Sequence, residues 1–188
     1  MKKYKILKKD FITVNGIKLF RIQALKDFEK SMYRVIYRIK KGDLGGYVEC
    51  EENLSQYKSS WISENAQVYG DAQVYGDAII FGDARVFRNA QVFGNARVSG
   101  NARVSMSVKI ETTSNYKVFG PIGSRNDFLT VIPDQNYVAT GCFYGTKKQF
   151  LKKLKETHKN NKHTKEYIEI INFLFKGEQL WKYNITLE

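Results

Sequence analysis

Residues 65–112 read NAQVYG DAQVYG DAIIFG DARVFR NAQVFG NARVSG NARVSM SVKIET, a pattern of period six. A branched aliphatic recurs without a skipped beat at Ile62, Val68, Val74, Ile80, Val86, Val92, Val98, Val104 and Ile110. Two residues earlier stands a small side chain: Ala66, Ala72, Ala78, Ala84, Ala90, Ala96 and Ala102, with Val108 closing the series. Gly70, Gly76, Gly82, Gly94 and Gly100 each precede an Asp or Asn. A 3.6-residue helix cannot hold this period, and neither can an unbroken strand. Short strand, corner, short strand can, wound as a coil. The aliphatic points inward, the alanine fills the inner corner, and Gly-Asn or Gly-Asp takes the bend, because both tolerate left-handed backbone. Three six-residue units close one triangular turn. The expected columns are then Val68, Val86 and Val104; Val74, Val92 and Ile110; Ile62, Ile80 and Val98. At a strand spacing of roughly 4.8 Å, about three coils stand about 15 Å tall.

On these residues the chain resembles the hexapeptide-repeat proteins of left-handed parallel β-helix fold. The hand is implied by that resemblance, since the general crossover rule favours the right. The best-known members are acyltransferases, usually trimeric, with a histidine on or near the coil. This chain departs from them: its two histidines, His158 and His163, lie far downstream of the repeat. Acyl transfer with a displaced histidine is therefore the least favoured of three functional readings.

Ahead of the coil, Phe11, Ile12, Thr13 and Val14 face Ile17 to Ile22 across Asn15-Gly16, the preferred pair for a tight hairpin turn. Residues 33–39 alternate as a third strand, and Leu44-Gly45-Gly46-Tyr47-Val48-Glu49 leads into the repeat. Val48 and Leu54 are spaced as if an irregular first coil begins there, with a two-residue insertion at 57–60 before Ile62. Residues 1–60 read as a β hairpin and cap, shielding a coil end whose unpaired strand groups invite aggregation. The coil itself spans 61–112. On its outside, Tyr69 stacks beside Phe87 and Tyr75 beside Phe93, while the third face carries Trp61, Ile79 and Phe81. Rings in that number are poor candidates for water exposure. Tyr69, Tyr75, Phe81, Phe87 and Phe93 are therefore the expected interface of a homo-oligomer, a dimer or trimer, with cover by flanking modules as the alternative.

Residues 113–188 form a third region, an α+β module. Strands are expected at 128–132 and 137–142 around Pro133-Asp134-Gln135-Asn136. Thr146 caps a helix with Phe150, Leu151, Leu154 and His158 on one face, and a second helix follows over about 164–175. Trp181, Tyr183, Ile185 and Leu187 alternate with polar residues as a closing strand. The succession GPIGSRND, GCFYGT, a helix ending Thr-His, then Lys-Glu-Tyr is similar to the tail of hexapeptide-repeat proteins from phages and prophages. The lead-in GDLGGYVE…ENLS is similar too. That resemblance supplies no settled activity; it implies an accessory protein rather than a sugar or amino-acid acyltransferase.

Composition narrows the partners. Thirty-one basic against 19 acidic residues leave a net charge of +12, which favours anions: nucleotides, nucleic acid or an acidic protein. Lysines cluster at Lys2, Lys3, Lys5, Lys8 and Lys9, and again from Lys147 to Lys165. No stretch approaches the ~20 apolar residues of a membrane span, and the basic start lacks a signal core, so a cytoplasmic, membrane-free protein is expected. Cys50 and Cys142 are far apart with no metal-ligand spacing, so reduced thiols and no cofactor are expected.

The chemistry concentrates at Ser124-Arg125-Asn126-Asp127. A Gly-flanked loop exposes backbone donors, and Ser, Arg and Asn add side-chain donors, a set suited to phosphate or carboxylate. Asp127 could orient Arg125 or accept from a base or ribose, Tyr144 or Tyr167 could stack, and His158 sits at a helix end that favours positive charge. Turn chemistry alone also explains this loop. A Cys142–His158 catalytic pair is a weaker alternative, since a strand cysteine is usually a small buried apolar residue. The sequence therefore leans towards a non-enzymatic phage accessory protein. It would bind an anionic ligand, a nucleotide or cyclic nucleotide signal of host defence, through the C-terminal module. The second reading is an inhibitor that engages a host protein or nucleic acid through the lysine-rich surface.

Overall fold

The computed structural model describes residues 2–32 and 35–182, and the side chains of 30–37 and 176–182 are outside the description. Its organising feature is a left-handed backbone corner at every sixth residue. Lys58, Glu64, Gly70, Gly76, Gly82, Arg88, Gly94, Gly100 and Met106 all have φ between +54° and +70°. Glycine adopts this conformation freely, whereas Lys58, Glu64, Arg88 and Met106 hold it at a cost of about 1–2 kcal/mol each. The phase of the coil, rather than local preference, keeps them there.

In chain order the elements are β1 (Tyr4–Val14), β2 (Ile17–Ala24), β3 (Phe28–Met32), β4 (Val35–Ile39) and β5 (Leu44–Val48). Nine two-residue strands follow: β6 (Trp61–Ile62), β7 (Gln67–Val68), β8 (Gln73–Val74), β9 (Ile79–Ile80), β10 (Arg85–Val86), β11 (Gln91–Val92), β12 (Arg97–Val98), β13 (Arg103–Val104) and β14 (Lys109–Ile110). Then come β15 (Lys117–Ile122), β16 (Asp127–Ile132), β17 (Tyr137–Thr140), β18 (Phe143–Thr146), α1 (Lys147–His158) and α2 (Lys162–Lys182). The chain divides into two compact units, Met1–Ser114 and Asn115–Glu188.

The first unit is a parallel β-solenoid. Val68 pairs with Val86 and Val86 with Val104; Val74 with Val92 and Val92 with Ile110; Ile62 with Ile80 and Ile80 with Val98. These are the columns the sequence spacing predicts. Val48 pairs with Val68 and Leu54 with Val74, so the lead-in already belongs to the coil. Stacked at strand spacing, the solenoid therefore runs to nearly four turns, one more than the repeat alone suggests. Each rung is tied to the next by paired amide bonds, such as Gln67 N to Ala84 O at 2.9 Å and Tyr69 N to Val86 O at 3.1 Å. The column aliphatics and the corner alanines are buried throughout, and each aliphatic contributes about 1.5–3 kcal/mol by burial.

β1 and β2 form the hairpin expected at Asn15-Gly16, both residues in positive φ. β1 begins earlier than expected, at Tyr4, and carries an irregularity between Leu7 and Phe11. β2 pairs antiparallel with β5, so the hairpin continues the sheet formed by β5, β7, β10 and β13. Gly46 allows that junction, since a Cβ there would meet Ala66 O at 2.5 Å. β4 pairs with β3 in a separate two-stranded sheet. Tyr33 and Arg34, part of the expected third strand, lie outside the described residues.

The outward rings divide by face. Tyr69 and Phe87 stack at 5.2 Å, and Tyr69 is 8% exposed beneath Leu19 and Tyr47 of the hairpin sheet, so its cover is intramolecular. Trp61 is buried against Phe28 and Tyr4. Tyr75 and Phe93 stack at 5.1 Å and stay half-buried, as does Phe81 under the Arg97 guanidinium.

In the second unit β15–β18 make an antiparallel sheet, and α1 and α2 pack on it through Leu129, Val131, Val138, Phe150, Leu154, Ile171 and Leu174. Thr146 and Gln149 form a capping box at the start of α1. Two expectations change here. β18 adds a strand where the sequence reading placed none. The helix α2 runs on to Lys182, past Gly177, so Trp181 sits in a helix rather than in the expected closing strand. The rest of that strand, residues 183–188, lies outside the described residues.

Two polar groups carry the first turn. Asn53 is 1% exposed; its Oδ1 accepts from Glu49 N and Cys50 N at 3.0 Å each, and its Nδ2 donates to Gly70 O at 2.8 Å and Ala72 O at 2.9 Å. Asn53→Ala strands all four partners, so urea denaturation should show a loss of about 3 kcal/mol. An unchanged midpoint would mean that water replaces the amide. Lys3 is equally buried, its Nζ donating to Ser60 O at 2.7 Å and Ser60 Oγ at 3.1 Å. Burial lowers its pKa to about 8, with Lys26 adding to the drop and Asp77 opposing it. A lysine in the unfolded chain keeps its proton to about pH 10.4. Above pH 8 the unfolded chain therefore binds more protons, and stability rises with pH. Burial raises the Tyr4 pKa, so ionisation of Tyr4 in the unfolded chain reverses the trend above about pH 10. Burial also raises the Cys50 thiol, which opposes the rise above about pH 8.5 in both proteins, so between pH 7.5 and 9.5 the wild type should gain about 2 kcal/mol relative to Lys3→Met.

Candidate functional site

The second unit holds a pocket of about 320 Å³ built from four pieces of chain. The first is the β15–β16 turn. Asn126 takes φ +54° and its amide bonds to Gly123 O at 3.2 Å, which turns the chain and leaves Ser124 and Arg125 at the surface. Gly123 lies so close to the Tyr167 ring that a Cβ would come within 2.6 Å of Cε2, so only glycine lets the loop rest there. Its amide also donates to Glu166 Oε2 at 3.2 Å, which fastens the loop to α2. Asp127 opens β16, its Oδ1 accepting from Phe128 N at 2.7 Å.

The second piece is the tight β17–β18 turn. A Cβ on Gly141 would sit 3.6 Å from Asp127 Oδ2 and 3.7 Å from Arg125 Nη1, so both charged tips reach the same point over this turn. Arg125 Nη1 lies 3.8 Å from the exposed Cys142 thiol. Thr140 and Phe143, register partners across the turn, both line the pocket.

Helix α1 supplies the third piece. Phe150, Leu154 and His158 form one row, four residues apart, and Lys153 and Thr157 the row beside it; all five line the pocket. The opposite side of α1 carries exposed Lys148, Lys152 and Lys155. Tyr167 of α2 closes the floor, edge-on to Phe150 at 5.5 Å. Burial raises its pKa; the nearby Glu166 and Asp127 carboxylates add to the rise, and a hydrogen bond with Thr140 and the Arg125 charge oppose it. The phenol is therefore a neutral hydroxyl at physiological pH.

Of the seven ligand candidates from sequence, the pocket brings together Ser124, Arg125, Asp127, His158 and Tyr167. Asn126 is the turn residue beside it. Tyr144 is absent from the lining because successive strand residues face opposite sides, and Phe143 takes the place next to it. Phe150 and Leu154 were visible in the sequence only as an apolar helix face. Lys153 and Thr157 were hidden in the lysine-rich run; the one available signal was their i, i+4 spacing beside that face. Among the described residues no group of three or more His, Cys, Asp or Glu is placed to hold a metal, and no helix is long and apolar enough to cross a membrane.

Comparison with known proteins bears on the coil. The family model described as the YdcK Beta solenoid repeat matches residues 66–80, 72–88 and 90–106. These segments lie within the stacked strands and cover well under half of the chain. Curated proteins gave no match. The chain carries a β-solenoid repeat, and the pocket has to be read from its own residues.

Proposed function

We propose that this is a non-enzymatic binding protein whose C-terminal unit holds a small anionic ligand, a nucleotide or cyclic nucleotide. The observation that carries the reading is the pocket itself. It sets Arg125, Lys153 and His158 around a floor of Phe143, Phe150, Leu154 and Tyr167. Ligand sites generally combine an apolar lining with a few convergent polar groups, and this one adds cations to the pattern. Charge-assisted bonds from a guanidinium to phosphate are the strongest polar contacts such a pocket offers.

In this reading the coil is a left-handed hexapeptide scaffold, capped by the N-terminal hairpin where β2 pairs antiparallel with β5. It assembles a homo-oligomer, dimer or trimer, through the rings that stay half-buried: Tyr75, Phe81, Phe87 and Phe93. The phage resemblance of the sequence makes host-defence signalling the natural source of the ligand, and the cytoplasm the natural place. The exposed lysine stripe of α1 favours a second reading, in which the partner is a nucleic acid or an acidic host protein.

Native mass spectrometry of the protein as purified, then of Arg125→Ala, tests both parts. The expected species is a dimer or trimer with a phosphate-containing adduct. Loss of one charge-assisted contact should weaken retention by tenfold or more in the variant. A ligand-free monomer that gains mass only with added oligonucleotide would favour the lysine stripe instead.

A further inference from the structure

Resting on that binding reading, we propose that the pocket takes a single mononucleotide, with its phosphate between Arg125 and Lys153 and its base against Phe143. Size limits the ligand first. About 320 Å³ stands at the lower end of the range for small-molecule sites, ~300–1,000 Å³, which suits one nucleotide and not two. The lining then gives the ligand a direction. One row of α1 is apolar through Phe150 and Leu154, and the adjacent row is polar through Lys153 and Thr157, so a ligand lying across α1 needs an apolar plane and a polar end.

Phe150 and Tyr167 are buried and committed to each other edge-on. Phe143, half-buried and tilted against Phe150 at 5.4 Å, is the ring with a face left to offer. Asp127 repels phosphate, so the anion belongs on the Lys153 side and the sugar hydroxyls face the carboxylate. The C-terminal end of α1 carries partial negative charge, which likewise favours Lys153 over the last turn. Lys153 is available: its contact with Glu156 is 3.8 Å, and both side chains are more than half exposed, so that pair contributes little and exchanges readily for phosphate.

Calorimetric titration of the full chain tests the assignment, using the four ribonucleoside monophosphates, their nucleosides, ribose 5-phosphate and cyclic di-AMP. At least one monophosphate should bind tenfold or more tighter than its nucleoside, ribose 5-phosphate or the cyclic dinucleotide. Lys153→Ala should weaken that monophosphate about tenfold and leave the nucleoside unchanged. Phe143→Ala should weaken monophosphate and nucleoside alike and leave ribose 5-phosphate unchanged, a pattern that a merely unfolded variant would not show. Tighter binding of cyclic di-AMP, or full affinity in Lys153→Ala, overturns this assignment while leaving anion binding intact. Binding of none of the probes overturns both.

Discussion

The inter-coil hydrogen-bond ladder sets the terms for the whole first unit. Two-residue strands are far too short to hold together in isolation; they persist because each finds the same strand one turn above and below. That requires every turn to consume the same length of chain, and the left-handed corner at each sixth residue meters it. Where the metering slips, at the two-residue insertion before Ser60, the structure adds polar ties. Asn53 accepts two hydrogen bonds from its own turn and donates two to the next, and Lys3 reaches in to Ser60. The irregular turn thus adds buried side-chain ties to the backbone ladder, whereas Asn65–Asp83 and Glu64–Gly82 tie the regular turns at exposed positions.

The same metering explains which parts of the structure were legible beforehand. The pairing of Val68 with Val86 and Val104 follows from the period alone, and so does the stacking of Tyr75 on Phe93. The corners at Lys58, Glu64, Arg88 and Met106 could be found only by phase, because their residue types argue against left-handed backbone. In the second unit no such repeat exists, and local signals compete. The alternation from Trp181 onward suggested a strand, yet α2 continues to Lys182 through Gly177, where a glycine costs only about 1 kcal/mol. The strand β18 was missed because Phe143-Tyr144-Gly145 is short and ends in glycine. It exists because β17 offers it an edge.

For the site, the charged loop was legible because Gly, Ser, Arg, Asn and Asp together announce exposed donors. Where those donors point was not. One residue of register decides between Phe143 and Tyr144, and the facing of Lys153 and Thr157 depends on how α1 seats on the sheet. The lysine cluster read from the sequence resolves into two populations on one helix: Lys153 beside the pocket and a stripe of Lys148, Lys152 and Lys155 on the far side. A binding function needs only the first, so the two readings of this protein separate on opposite faces of α1.

Amide hydrogen exchange of the full chain, with and without a saturating ribonucleoside monophosphate, shows where the ligand sits. Binding in the pocket should add protection in 123–127, in the β17–β18 turn and along α1, with the solenoid strands unchanged. Protection confined to the solenoid, or to the lysine-bearing side of α1 with the 123–127 loop untouched, would contradict it.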